Sequence, residues 1–252
     1  MYSRTELLLG TSGLQTLKNS HVLVVGLGGV GAYCAEQLAR AGVGSLTIVD
    51  KDTIEASNLN RQLVALNSTL GKNKTDVLKQ RLLDINPALH IKALTEYLRD
   101  DRMIEILKAE KYDYVVDAID TLSPKVFLLY HCLALNLLVV SAMGSGGKVD
   151  PLQVKIDDIS RSYNCTLASS VRKKLHKLGI YEGVSVVFSS EKVNQEAVIQ
   201  DESENKKTTV GTVSYMPAIF GCACASVVIR DLCGQQIYEK KKDSRYYKNK
   251  RI

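Results

Sequence analysis

Short apolar runs alternate with amphipathic stretches through the first 142 residues of this chain. His21–Val25 and Ser45–Val49 are rich in Val, Leu and Ile and end at Gly26 and Asp50. Such short runs, bounded by turn residues, predict strands buried on both faces. Residues 5–19 are predicted as a short helix before the first strand, and Gly29–Ala41 as a helix between the two. In Lys74–Ile85 the apolar positions Val77, Leu78, Leu82 and Ile85 fall at helical spacing. Asn86-Pro87 stops that helix, because proline cannot continue it and biases its predecessor away from helical geometry. A strand at Leu89–Leu94, a helix at Asp101–Ala109, a buried strand in Tyr114–Asp120, a helix at 123–135 and a strand at Leu137–Ala142 follow. The alternation predicts an α/β fold, a mostly parallel sheet with helices on both faces.

After Gly144–Gly147 the pattern changes. Lys148–Ile156 and Val184–Ser189 read as strands, 167–177 as a basic helix and Tyr215–Leu232 as an apolar helix starting near Pro217. Residues 191–208 are polar without periodicity and are expected to form a mobile loop. The expected organisation is a nucleotide-binding unit at 1–150, a smaller α+β extension at 151–236 completing the same fold unit, and a basic tail at 237–252.

Composition narrows the class. A chain of 252 residues with 45% hydrophobic and 24% charged residues is ordinary for a soluble globular protein. No apolar run is expected to span a bilayer, so no stable membrane insertion is expected. The start, Met1-Tyr2-Ser3-Arg4-Thr5-Glu6, lacks a basic region followed by an apolar core, and a cytoplasmic location is the expectation. None of the six cysteines forms a C-x-x-C pair, so no zinc is expected. Cys34, Cys132, Cys222, Cys224 and Cys233 sit in apolar surroundings and read as small buried hydrophobes. Cys165 and Cys233 are the two worth testing for reactivity. The net charge of +6 is concentrated in Arg172–Lys177, Lys206-Lys207 and Lys240–Arg251, the last interleaved with Tyr246 and Tyr247. A polyanionic partner fits such patches; a solvated helix face and tail fits them equally.

The candidate chemistry starts at Gly26-Leu27-Gly28-Gly29-Val30-Gly31, where a strand runs into a glycine turn and a helix. Gly26 permits the tight turn, Gly28 lets backbone approach phosphate oxygens, and Gly31 lets the helix pack on the strand. The helix N-terminus offers N–H groups and partial positive charge to an anion. Asp50, 24 residues after Gly26, is spaced to accept ribose hydroxyls. Ligands in parallel sheets bind outside the carboxyl ends of the strands, where Asp117 and Asp120 also fall. A nicotinamide dehydrogenase is the default reading of such a turn. The polar stretch Asp50–Gln62, Lys74, and a carboxylate at Asp120 suited to hydrated magnesium instead suit charge on a triphosphate.

Together, G-x-G-G-x-G at 26–31, Asp50-x-Asp52, Asn58-Leu59-Asn60-Arg61-Gln62, Gly71-Lys72-Asn73-Lys74, Ile85-Asn86-Pro87 and Asp117-Ala118-Ile119-Asp120 resemble the ubiquitin-activating, E1-like superfamily over residues 2–150. The resemblance implies a Rossmann-like fold that binds ATP with Mg2+ and adenylates a carboxylate. It implies nucleotide contacts from Gly26, Gly28, Gly29, Gly31, Asp50, Asp52, Asn58, Arg61, Lys74 and Asp117, with Asp120 on the metal. Arg61, Lys74 and Asp120 would be catalytic, joined by an Arg4 inserted from the partner protomer of a homodimer. Asp117 also reads as a strand-end cap, Asn58 as a turn residue and Arg4 as a plain surface arginine.

Beyond residue 143, Gly144–Gly147 with Asp150-Pro151, the basic helix around Val171-Arg172-Lys173-Lys174-Leu175, Val187-Phe188-Ser189-Ser190-Glu191 and Pro217-Ala218-Ile219-Phe220-Gly221 resemble the tRNA threonylcarbamoyladenosine dehydratase branch. That branch implies ATP-dependent cyclisation of N6-threonylcarbamoyladenosine at position 37 of ANN-decoding tRNA. Arg172, Lys173, Lys174 and Lys177 would then meet nucleic acid, and a sulfur-relay protein would be a further partner. Cys165-Thr166-Leu167 departs from the Asp-Pro-Leu expected before the basic helix, and Thr121 stands where carrier-activating relatives carry asparagine. The competing readings are adenylation of a ubiquitin-like sulfur-carrier protein's C-terminus and a non-catalytic nucleotide-binding adaptor.

Overall fold

In the computed structural model, which describes residues 1–200, 208–235 and 238, seven segments pair into one sheet. They are β1 (His21–Val25), β2 (Ser45–Val49), β3 (His90–Leu94), β4 (Tyr114–Asp117), β5 (Val139–Ala142), β6 (Val154–Asp158) and β7 (Ser185–Ser189). The order is β3-β2-β1-β4-β5-β7-β6, parallel throughout except for β6 against β7. Seven helices accompany it among the described residues: α1 (Ser3–Asn19), α2 (Gly31–Ala41), α3 (Lys74–Ile85), α4 (Asp100–Ala109), α5 (Leu122–Ala134), α6 (Thr166–Lys177) and α7 (Tyr215–Leu232).

Alternation along the strands divides the core in two, as a period of two requires. Val22 and Val24 of β1 join Tyr114 and Val116 of β4 in a cluster closed by α2, α3 and α7, through residues such as Leu38, Leu82, Phe220 and Val227. Leu23 and Val25 join Val115 in the opposite cluster, closed by α4, α5 and α6 through Ile106, Leu129 and Val171. Register then sets the working edge. Val25 pairs with both Val49 and Asp117, so Gly26, Asp50 and the loop after Asp117 leave the sheet side by side. This is where strand order reverses and a crevice opens.

Several expectations need correction. α1 starts at Ser3 and kinks at Gly10, whose φ of 74° and ψ of 166° are not helical. α2 starts at Gly31 because Gly28 and Gly29 belong to the turn. β6 starts at Val154 instead of Lys148: Pro151 offers no N–H to a ladder, and Asp150 accepts the Leu152 N–H at 2.9 Å to build a short 3-10 turn. Within 191–208, where a loop is expected, β8 (Val198–Gln200) pairs antiparallel with β9 (Thr208–Val210). Residues 201–207, and the basic tail apart from Tyr238, lie outside the described residues. Cys222 is exposed and Cys233 half-buried, whereas Cys165 is buried. α7 is long and apolar enough to cross a bilayer, at 18 residues and mean hydropathy 1.3, against the expectation of no such run. Its apolar face, with Met216, Phe220, Cys224 and Val228, packs into the sheet cluster.

Candidate functional site

The glycine turn is built by close approach. Gly26 adopts φ 87° and donates its N–H to Val49 O at 2.9 Å. A Cβ on Gly31 would lie 1.8 Å from Gly26 O, so only glycine lets α2 start there. No side chain caps the N-terminus of α2 and no acidic residue occupies its first turn. The Ala32 N–H meets Gly28 O at 3.4 Å and the Cys34 N–H meets Val30 O at 3.0 Å, and the positive end of the helix dipole faces the turn without a side-chain counter-charge.

Asp50 stands beside this turn, half-buried. Its Oδ2 accepts the Leu27 N–H at 2.6 Å and its Oδ1 accepts the Asp52 N–H at 2.8 Å. Burial pushes its carboxyl up, and the Lys74 charge with these N–H groups offsets only part of that. Lys74 has a side chain only 6% exposed, and its Nζ meets Asp52 Oδ2 at 3.1 Å. Ammonium and carboxylates are thus held at one edge, where a triphosphate could replace Asp52 as the counter-charge.

The 3-10 turn at Ala56–Asn58 organises the other wall. Asn58 is buried, with Oδ1 accepting the Glu55 N–H at 3.1 Å and Nδ2 donating to Ser57 Oγ at 3.2 Å. Arg61 Nη1 donates to Ser57 O and Asn60 Oδ1, each at 2.8 Å, leaving other guanidinium donors for a ligand. Arg61 O would lie 3.4 Å from a Cβ on Gly29, which sets this wall against the turn. In the sequence Gln62 is marked only by its place in the Asn58–Gln62 motif. The structure gives it more: its Oε1 is buried without a hydrogen-bond partner, and its Nε2 would sit 3.7 Å from a Cβ on Gly28. The amide nitrogen, a donor, is therefore the Gln62 atom that faces the glycine turn.

Asp117 is fully buried and its oxygens are spent within the fold. It pairs with Lys125 Nζ at 2.8 Å, and accepts the Ile119 N–H at 3.1 Å and Ser141 Oγ–H at 2.6 Å. Lys125 also donates to Ile119 O at 2.8 Å. Asp117 therefore ties down loop 118–121, in the role of a strand-end cap, and Asp120 stands exposed on that loop. Among the described residues no group of three or more His, Cys, Asp or Glu gathers to hold a metal. One exposed carboxylate fits a hydrated Mg2+ shared with phosphates, the usual magnesium arrangement.

Arg4 lies away from its own chain's turn. Its neighbour Tyr2 packs on Gly42, where α2 ends at the amino edge of the sheet. Arg4 is exposed, with Leu7 and Leu8 on the same helix 87% and 84% exposed. Of the basic residues on α6, Lys173, Lys174 and Lys177 are exposed, but Arg172 is committed to the fold. Its Nη1 donates to Ser162 O at 2.9 Å, Ser162 Oγ at 2.7 Å and Ile159 O at 3.2 Å. Cys165 caps α6 through Sγ, which accepts the Ala168 N–H at 3.5 Å. Nearby, buried Lys148 donates to Asn164 O and Glu191 O. A cavity of about 240 Å³ opens there, between Gly147, Asn194, Ala197 and Gly211.

Fold and site together define a Rossmann-like, E1-like nucleotide-binding protein with a glycine turn flanked by Arg61 and Lys74. The chain belongs to the ThiF family, which it matches over residues 2–251. It is 41% identical over 240 residues to the tRNA threonylcarbamoyladenosine dehydratase of Bacillus subtilis, covering 92% of this chain and 94% of that one. The crystal structure of the E. coli dehydratase TcdA in complex with ATP superposes with a TM-score of 0.84 at 30% identity, over 92% and 93% of the two chains. Similarity to the E. coli sulfur carrier protein ThiS adenylyltransferase, 36% identical, reaches only 59% of this chain.

Proposed function

We propose that this chain dehydrates N6-threonylcarbamoyladenosine at position 37 of ANN-decoding tRNA to its cyclic form, using ATP through an acyl-adenylate. The observation that carries this reading is the match along nearly the whole chain to dehydratases, one of them ATP-bound. The likeness to a carrier-protein adenylyltransferase is confined to part of the chain.

A free carboxylate is a poor electrophile, so it must first acquire a leaving group. In the proposed reaction a carboxylate oxygen of the threonyl group attacks the α-phosphorus, the α–β anhydride bond breaks and pyrophosphate departs. The amide of the same side chain then attacks the activated carbonyl carbon, AMP leaves with the bonding electrons, and the amide proton is lost. The sum removes one water. Ring closure needs no second molecule, and well-oriented intramolecular steps gain effective molarities of about 10⁵ M or more.

The α2 N-terminus, Gly28, Lys74, Arg61 and Asn58 are assigned to the phosphates and Asp50 to the ribose. Asp120 is assigned to Mg2+, which when bound neutralises charge on the departing pyrophosphate. Arg4 is assigned to the site of a second copy in a homodimer, supported by the packing of its neighbour Tyr2 on Gly42 at the opposite edge of the sheet and by the exposed Leu7 and Leu8 beside it. Lys173, Lys174 and Lys177 are assigned to tRNA. The cavity near Gly147 is assigned to the acyl group: its lining residues Gly211 and Val213 flank Thr212, whose carbonyl oxygen accepts from Asn60 Nδ2 at 3.0 Å, next to Arg61. The reaction runs in the cytoplasm on this reading, and no step requires a sulfur-relay partner.

The test is incubation with ATP, Mg2+ and tRNA bearing the modification, followed by nucleoside mass spectrometry. The expected result is loss of one water from the nucleoside with release of AMP and pyrophosphate. An unchanged nucleoside, with pyrophosphate exchange stimulated by a small carrier protein, overturns the reading.

A further inference from the structure

Asn60 sits between two groups of opposite hydrogen-bonding character. Its Oδ1 accepts from Arg61 Nη1 at 2.8 Å, and its Nδ2 donates to Thr212 O at 3.0 Å, across 152 residues of chain. A guanidinium only donates and a carbonyl oxygen only accepts. A side-chain amide answers both, its oxygen turned to one and its nitrogen to the other, so the two partners fix which way it points. Aspartate would keep the acceptor but set oxygen against oxygen at Thr212, and alanine would keep neither bond.

Each partner belongs to a different half of the site. Arg61 is assigned to the phosphates, and its Nη1 is also held by Ser57 O at 2.8 Å. Thr212 belongs to the segment that leaves β9 and runs into α7, and its neighbours Gly211 and Val213 line the cavity of about 240 Å³. That segment lies against the loop after β5. The Gly147 N–H donates to Gly211 O at 2.8 Å, and a Cβ on Gly146 would lie 3.1 Å from Val210 Cβ and 3.2 Å from Thr212 Oγ1. The Gly211 N–H donates in turn to the O of Ala197, another lining residue, at 2.8 Å. Farther on, the Tyr215 hydroxyl donates to Val149 O at 2.8 Å. These bonds tie the segment to the cavity, and Asn60 ties it to the nucleotide wall.

We propose that Asn60 is a positioning residue that holds the wall of the acyl cavity in register with the phosphates at Arg61. A phosphate that takes the remaining guanidinium donors fixes Arg61, Arg61 fixes the Asn60 amide, and the amide holds Thr212. ATP binding thereby firms the cavity from which the carboxylate must reach the α-phosphorus, and by linkage an occupied cavity tightens ATP by the same factor. The place of the acyl group rests on the functional reading above; the link from Arg61 to Thr212 does not. Misplacement of reacting atoms by about 1 Å can cost about 100-fold in rate, so a single bond outside the reacting centre has leverage on turnover.

The test uses the full-length chain and its Asn60→Ala, Asn60→Asp and Asn60→Gln variants. Hydrogen–deuterium exchange is followed across residues 208–213 with and without ATP·Mg2+, in the absence of tRNA. In the wild type, ATP should slow exchange there by about fivefold or more. Asn60→Ala and Asn60→Asp should lose that response while keeping the slowing at Gly26–Gly31 and a wild-type Tm. Aspartate still offers Arg61 an acceptor and alanine adds no charge, so a loss shared by both traces to the missing Nδ2 donor. Asn60→Gln carries the same amide one methylene farther out and should restore part of the response. With modified tRNA, the first two variants should lower kcat about tenfold, with ATP Kd within about threefold of wild type; a merely structural role would lower Tm and ATP affinity instead. An ATP response in Asn60→Ala equal to wild type, an effect in Asn60→Ala that is absent from Asn60→Asp, or no response at 208–213 in wild type with ATP bound at the turn overturns the proposal. If exchange behaves as expected but the wild type leaves modified tRNA unchanged, the functional reading fails and the link from Arg61 to Thr212 stands.

Discussion

Replacing Gly28 or Gly31 by alanine adds one methyl group in two places that differ sharply in room. At Gly31 the new carbon would stand 1.8 Å from Gly26 O, and reaching even 3.0 Å requires the turn or α2 to move by about 1.2 Å. Overpacking of that kind costs about 1–3 kcal/mol, which for a chain of this size lowers Tm by about 2–12 °C. At Gly28 the nearest atom is Gln62 Nε2 at 3.7 Å, an ordinary contact, so the fold should tolerate the change. The same methyl would nevertheless meet a phosphate brought against the turn. The assay is thermal unfolding with and without ATP·Mg at about 100 times the wild-type Kd. Ligand at that level stabilises the wild type by about 2.7 kcal/mol, a shift of about 5–11 °C. Gly28→Ala with tenfold weaker binding retains about 1.4 kcal/mol, roughly half the shift, on an unchanged starting Tm. Gly31→Ala should lose both starting stability and the shift. A wild-type shift in Gly28→Ala, or a wild-type Tm in Gly31→Ala, refutes this account of the turn.

Three further outcomes are expected. Lys125→Met strands the buried Asp117 carboxylate and should cost about 3–5 kcal/mol by urea denaturation, with a large part regained in Lys125→Met/Asp117→Asn; an additive double variant would show that the pair is not coupled. Burial pushes the Glu36 carboxyl up, but Arg81 at 2.6 Å and Arg40 at 2.9 Å outweigh it and hold the group below its ordinary value. Because the folded value is depressed, the advantage of wild type over Glu36→Gln should be full above pH ~4.3 and shrink as pH falls through the folded value, and a pH-independent difference would contradict it. Mixing Arg4→Ala with Asp120→Ala protein, each inactive alone but folded by circular dichroism, should restore part of the dehydratase activity if sites are shared between protomers; no rescue would place Arg4 outside the site.

Much of the scaffold is legible along the chain. β1 and β2 fall where their apolar runs predict, and α3 spans Lys74–Ile85 as its spacing requires. The glycine turn is also legible, because a backbone that passes 1.8 Å from where a Cβ would sit admits one residue type. α7 shows the limit of composition: its length and apolarity suit a bilayer, and only the sheet beneath it explains them. The hairpin of β8 and β9 was not legible, since a three-residue strand is too short to establish a period.

The side-chain assignments divide the same way. Sequence by itself determined which polar residues gather at the carboxyl edge, because strand polarity and the glycine turn decide that edge. Tertiary structure decided what each of them does there. Asp117 is turned inward by Lys125 and Ser141, Arg172 is absorbed by Ser162 and Ile159, and Gln62 is left with an unanswered carbonyl oxygen. The physical reason is that local periodicity specifies which faces are buried, whereas the partner of a buried polar group comes from wherever the fold brings another chain segment within about 3 Å.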